Sequence, residues 1–145
     1  MAVMEFQTQI NAPPEKVFAY IADLEKHTEW SHCSEIKKTS DGPIGVGATY
    51  DSTGKNLGMT SKEKVEITEY RPNERFAWRT DGAMGMQFHW SFELQPQDGG
   101  TLLTERLDPP GGVLATIIAK LFAERETRKV VTEGLARIKE KVETS

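Results

Sequence analysis

Cysteine occurs once, at Cys33, and cations do not outnumber anions: Lys and Arg total 18 against 22 Asp and Glu, a formal net charge of -4. A lone cysteine closes no internal disulfide, which fits a reducing cytoplasm. The acidic balance argues against a nucleic-acid partner, because phosphate backbones are bound by a basic face. Long hydrophobic runs are missing too. The most apolar stretch, 113–123, contains Lys120 and falls short of the roughly 20 residues of a spanning helix. It reads as part of an amphipathic helix, so no stable membrane insertion is expected. The opening Met1-Ala2-Val3-Met4-Glu5 lacks the basic and apolar regions of a signal peptide, and no targeting segment is expected. No HExxH or CxxC spacing, Gly-x-Ser-x-Gly elbow or phosphate-binding Gly-x-x-x-x-Gly-Lys loop occurs. Gly42, Gly45 and Gly47 form no dinucleotide fingerprint. Neither a metal nor an organic cofactor is therefore expected.

What is present describes a soluble globular chain. Apolar residues make up 37% and charged residues 28% of 145 positions, a length that fits one domain over 1–145. Such a chain can bury roughly 68–70% of its unfolded surface. Residues 4–10 alternate, with Met4, Phe6, Thr8 and Ile10 on one side, as in a half-buried strand. Pro13 and Pro14 stop it and favour a helix start; Val17, Phe18 and Ile21 then follow at helical spacing over 14–22. A second short helix is expected over 24–30. Strand-like segments follow at 33–40, 46–54, 60–71, 74–81, 86–96 and 101–108. Turn signals separate them: Asp41-Gly42-Pro43, Gly54-Lys55-Asn56, Arg71-Pro72-Asn73, Asp81-Gly82 and Asp98-Gly99-Gly100. The clearest strand alternates Met86, Phe88, Trp90, Phe92 and Leu94 with polar residues. Short connections imply an antiparallel meander. A helical pattern from 113 to about 142, about 45 Å long, closes the chain. A one-faced sheet must bury that face, and only the helices can cover it. The expected fold is α+β: a curved antiparallel sheet of about seven strands wrapped around a long C-terminal helix, with two short helices after the first strand.

This order resembles the START-like (SRPBCC) superfamily, and within it the polyketide cyclase/dehydrase and lipid-transport family. Ile10-Asn11-Ala12-Pro13-Pro14-Glu15-Lys16-Val17-Phe18 is similar to its first strand and helix, and Tyr20-Ile21-Ala22-Asp23-Leu24-Glu25 leading to Trp30 to its helix pair. Ile44-Gly45-Val46-Gly47-Ala48-Thr49-Tyr50 resembles its Gly-x-Gly strand, and Gly99-Gly100-Thr101-Leu102-Leu103-Thr104 a later element. The resemblance spans the whole chain and implies a helix-grip fold, with an apolar cavity between sheet and C-terminal helix. The activities it implies are binding or carriage of lipids and other hydrophobic molecules, polyketide cyclisation, or docking to partner proteins. Fold alone does not choose among them.

Phe76, Trp78, Phe88, Trp90 and Phe92 fall on inward positions by alternation, with Met59, Met84 and Met86 nearby. Aromatics and flexible thioethers suit an adaptable apolar pocket, or they simply fill the core. On the C-terminal helix Leu114, Ile117, Ile118, Leu121, Leu135, Ile138 and Val142 share a face that also contains Arg125, Arg128 and Thr132. A cation facing a low-dielectric interior needs a partner. Glu105, alternating with Leu103 and Leu107, is one option; a carboxylate or phosphate on a ligand is another. Snorkelling stems, a surface pair Glu124–Arg128 or a helix break would also account for them. Gly134 inside the same helix marks a kink or a close approach to the sheet. Trp30 and Tyr50 complete the expected ligand-binding set with Trp78, Phe88, Trp90, Phe92, Glu105, Ile118, Leu121, Arg125 and Arg128. Asp23, His27, His32 and Cys33 are metal-ligand types without metal-ligand spacing. His89 falls on the polar face of its strand.

The leading reading is a non-enzymatic binder or carrier of a small hydrophobic molecule, lipid or polyketide-like. The alternatives are a polyketide cyclase/dehydrase-like enzyme and a partner-docking, cochaperone-like module. Catalysis would need an acid or base in the pocket; Tyr20, Tyr50, Trp30, Glu105 and the helix arginines are the candidates, and no catalytic residue is assigned. The sequence leaves the oligomeric state open.

Overall fold

Alternation of apolar and polar residues builds seven strands, which pair in one curved antiparallel sheet of order β1-β7-β6-β5-β4-β3-β2. They are β1 (Met4–Ile10), β2 (Cys33–Lys38), β3 (Thr49–Asn56), β4 (Met59–Arg71), β5 (Arg75–Asp81), β6 (Gln87–Gln97) and β7 (Gly100–Asp108). Between β1 and β2 lie helix α1 (Pro14–Ile21) and a 3₁₀ helix (Leu24–Glu29), and helix α2 (Glu124–Thr144) follows the sheet. The computed structural model describes residues 3–56, 59–82, 85–108 and 124–145. The expected helical turns over 113–123, and Met84, lie outside the described residues.

Pro14 occupies the first turn of α1, whose Val17, Phe18 and Ile21 are buried. Asp23 starts the 3₁₀ helix by accepting a hydrogen bond from the Glu25 amide at 3.2 Å. Asp98 and Gly99 both have positive φ, 51° and 77°, and make the two-residue hairpin between β6 and β7. Gly100 must be glycine for a different reason: a Cβ there would collide with the carbonyl oxygen of Ile10 on β1.

Three strand ends differ from the sequence reading by two residues or more. β2 stops at Lys38 and β3 starts at Thr49, because the backbone between them turns through Gly47 (φ 90°) with the Gly47 amide bound to the Ile67 carbonyl at 2.9 Å. β3 runs on to Asn56, which pairs with Met59, so Gly54 is a strand residue opposite Ser61 and not the start of a turn.

Helix α2 presents Val131, Gly134, Leu135, Ile138 and Val142 as one buried stripe. Its far end is tied to β1 and the segment after it. The Lys139 ammonium donates to the Gln9 carbonyl at 2.6 Å, and Glu143 accepts from the Asn11 amide at 2.8 Å. The core is continuous from β1 across the sheet to this stripe and to α1.

Candidate functional site

The inner sheet face is aromatic in its middle rows. Trp78 and Trp90 are cross-strand partners and stack with centroids 6.1 Å apart and planes 6° from parallel. Phe76 and Phe92 form the next pair and are fully buried. Phe88 and Trp90 stay half-buried although alternation places them on this same face. Tyr70 on β4, packed on Phe18 and Phe76, is partly buried as well.

Trp30 closes over this row from the 3₁₀ helix. Its ring lies 5.8 Å from Phe92 and 4.6 Å from His27. Helix α2 reaches it because position 134 is glycine: a Cβ there would stand 3.2 Å from the Trp30 ring. Gly134 therefore marks a close approach, to Trp30 instead of to a strand. The Trp30 carbonyl also accepts from the Arg137 guanidinium at 3.3 Å.

Glu105 lies on β7 between Phe6 of β1 and Phe92 of β6. It is 2% exposed, and its Oε1 has no hydrogen-bond partner among the described residues. Burial alone pushes its carboxyl up to about 8, so it is a neutral carboxylic acid at pH 7. The buried Trp30 Nε1 and Tyr50 hydroxyl are likewise unpartnered among the described residues. Burial raises the Tyr50 pKa to about 12, with Asp23, Glu25 and Tyr70 adding to it.

Arg125, Arg128 and Thr132 are exposed. The polar break in the helical stripe falls where α2 borders a cleft of about 680 Å³, lined by these residues with Lys129 and Glu133. Water reaches them, so no buried partner is needed. The Arg128 guanidinium lies 5.3 Å over the Phe6 ring. No ion pair joins Glu105 to either arginine among the described residues. Ile118 and Leu121 lie outside the described residues.

His27 is buried and bound through Nε2 to the Ile21 carbonyl at 2.8 Å. Burial lowers its pKa to about 4 despite that bond, so it is neutral at pH 7. Its ring packs against Trp30, Phe76 and Trp78. His89 is exposed on the outer face. Tyr20, partly buried against the core, donates to Glu29 at 2.9 Å. One inner-face group escaped the sequence reading. Glu63 alternates with Val65 and Ile67 on β4, and burial raises its carboxyl while His32 opposes the shift. The period-two pattern through 63, 65 and 67 was the available signal.

The family described as polyketide cyclase / dehydrase and lipid transport matches residues 1–143. The chain belongs to this family. A protein of Mycobacterium tuberculosis (strain ATCC 25618 / H37Rv), itself uncharacterized, is 27% identical over 103 residues, 69% of this chain and 44% of its own length. The chain thus spans less than half of that curated relative. A crystal structure of a protein from Chromobacterium violaceum superposes with a TM-score of 0.76 at 16% identity, covering 99% of both chains. The crystal structure of Ara h 8.0201 does so with a TM-score of 0.70 at 15% identity, again over 99% of both. The START-like fold expected from the sequence is the fold of this chain. The family's description fits a role in binding a hydrophobic ligand. Among the described residues, no helix is long and apolar enough to cross a membrane.

Proposed function

We propose that this chain binds and carries a small hydrophobic molecule, lipid or polyketide-like, in the space between the inner sheet face and the C-terminal helix. One observation carries the reading: Phe88 and Trp90 keep accessible surface on an inner face whose neighbouring Phe92 is fully buried. Covering such rings with an apolar ligand stabilises the complex by about 25 cal/mol for each Å² buried, before the costs of association. Trp78 and Trp30 form the floor and side of the proposed site, with Tyr50 at its β3 border. Arg125 and Arg128 stand at its rim, where they meet a ligand's approach instead of anchoring its buried end. Ile118 and Leu121 would complete the wall.

The unit proposed is one domain over 1–145, working in the cytoplasm, where the free Cys33 thiol stays reduced. Carriage is favoured over catalysis because the inner face brings no nucleophile–base pair to one point among the described residues.

The test is native mass spectrometry of the protein purified from its own host, joined to titration with Nile red, an uncharged apolar dye. A co-purifying hydrophobic mass, and dye binding that Trp90→Ala weakens about tenfold or more, are the expected results. A protein that carries no mass and binds no dye would sink the reading.

A further inference from the structure

The polar groups left open inside the fold are not those suited to an anionic headgroup. The two arginines of α2 are exposed. Besides the Tyr50 hydroxyl, the interior offers a carboxylic acid and an indole N–H. Glu105 and Phe92 are cross-strand partners, and the Trp30 ring packs on Phe92, 5.8 Å between centroids. Glu105 Oε1 and Trp30 Nε1 are both buried without a partner among the described residues. Buried polar atoms are rarely left unpaired, and each that is costs about 1–3 kcal/mol. Two such atoms beside one ring point to a missing partner that a ligand supplies.

We propose that the ligand is an uncharged hydrophobic molecule carrying a carbonyl oxygen, which the Glu105 carboxylic acid and the Trp30 indole N–H hold beside the Phe92 ring. This rests on the cavity reading above and narrows it. An indole N–H only donates, and a protonated carboxyl donates through its O–H, so the matching ligand atom is an acceptor. A carboxylate or phosphate at this place would need a cation; Arg128 of α2 lies over Phe6, and no ion pair reaches Glu105 among the described residues. A plain hydrocarbon would leave both groups unpaired.

Proton loss from Glu105 removes its donor and puts a negative charge against the ligand oxygen, so binding weakens as pH rises through about 8. The charged and titratable groups around it do not share this window. The Arg128 guanidinium lies over Phe6, His27 is neutral above about 4 and Tyr50 holds its proton to about 12. β1 and β6 present Met4, Phe6, Trp90 and Phe92 here, none of them titratable. Glu63 lies on β4, beyond β5 and β6.

The experiment measures competition with Nile red by three probes of one size: 1-tetralone, the hydrocarbon tetralin, and the carboxylate 1,2,3,4-tetrahydro-1-naphthoate. Wild type, Glu105→Gln, Glu105→Leu and Trp30→Phe are compared at pH 6.5 and 9.5. The readout is the affinity for tetralone relative to tetralin, which cancels the shared hydrophobic contribution. Glu105→Leu and Trp30→Phe are each expected to lower that ratio about tenfold at pH 6.5, and the pH rise to lower it similarly in wild type. Glu105→Gln keeps an N–H donor without a titration, so its ratio should stay within about threefold at both values. The carboxylate should bind wild type at least tenfold more weakly than tetralone. A ratio unchanged by Glu105→Leu and by pH, or a carboxylate binding as well as the ketone, overturns the proposal while leaving hydrophobic carriage standing. Failure of both tetralin and Nile red to bind overturns both readings.

Discussion

At the scale of single residues, the buried acid is the group with the largest consequence. Glu105 has a folded pKa raised to about 8 from an ordinary 4.5, so the folded state holds a proton the unfolded state has released. Its favourable contribution is complete below about pH 4.5 and is lost as pH rises through 8. His27 acts in the opposite sense. Its pKa falls to about 4 from 6.5, so its contribution is present above 6.5 and lost as pH falls toward 4. Between about 4.5 and 6.5 the two slopes oppose each other; from 6.5 to 8 only that of Glu105 remains. Glu105→Gln should therefore raise the unfolding free energy by about 3 kcal/mol at pH 7, and remove a decline of about 2 kcal/mol between pH 6.5 and 8. Urea unfolding of both proteins at four pH values measures this. Equal pH slopes in the two proteins would mean the carboxyl is not buried as described. The inward position of Glu105 was legible from its alternation with Leu103 and Leu107. Its lack of a cation was not, because pairing depends on where a helix distant in sequence places Arg128.

At the scale of elements, the contact between α2 and the 3₁₀ helix turns on Gly134. Alanine is better than glycine in a helix by about 1 kcal/mol. Here the added methyl would stand 3.2 Å from the Trp30 ring and 3.3 Å from its carbonyl oxygen. Gly134→Ala is thus expected to lower stability by about 1–2 kcal/mol despite the better propensity, and to shift Trp30 fluorescence. A stabilised variant with an unchanged spectrum would show that the two helices are not in close contact. Element boundaries were mostly legible, since Pro13-Pro14 and Asp98-Gly99-Gly100 each act within a few residues. The exceptions have long-range causes. The delayed start of β3 follows from the Gly47 amide binding Ile67, 20 positions later in the chain. The exposure of Arg125, Arg128 and Thr132 is set by how α2 lies against the rest of the fold, which helical periodicity alone does not reveal.

At the scale of the whole molecule, a ligand that binds only the folded chain adds stability by mass action. A probe present at 100 times its dissociation constant adds about 2.7 kcal/mol. For a chain of this size that should raise Tm by roughly 5–10 °C, measured with and without 1-tetralone at pH 6.5. The gain should shrink at pH 9.5 if Glu105 holds the ligand oxygen. A Tm indifferent to every probe would place the half-buried Phe88 and Trp90 in the core's ordinary packing. The sequence by itself determined the seven strands, the short helices and the C-terminal helical pattern, because those depend on residue periodicity and on proline and glycine at turns. Tertiary structure alone decided which polar groups are left inside. Whether Glu105, Trp30 Nε1 and the Tyr50 hydroxyl find partners, and whether the α2 arginines meet water, depends on the meeting of elements up to about a hundred residues apart. Local pattern places a side chain on a face; only packing supplies or withholds its partner.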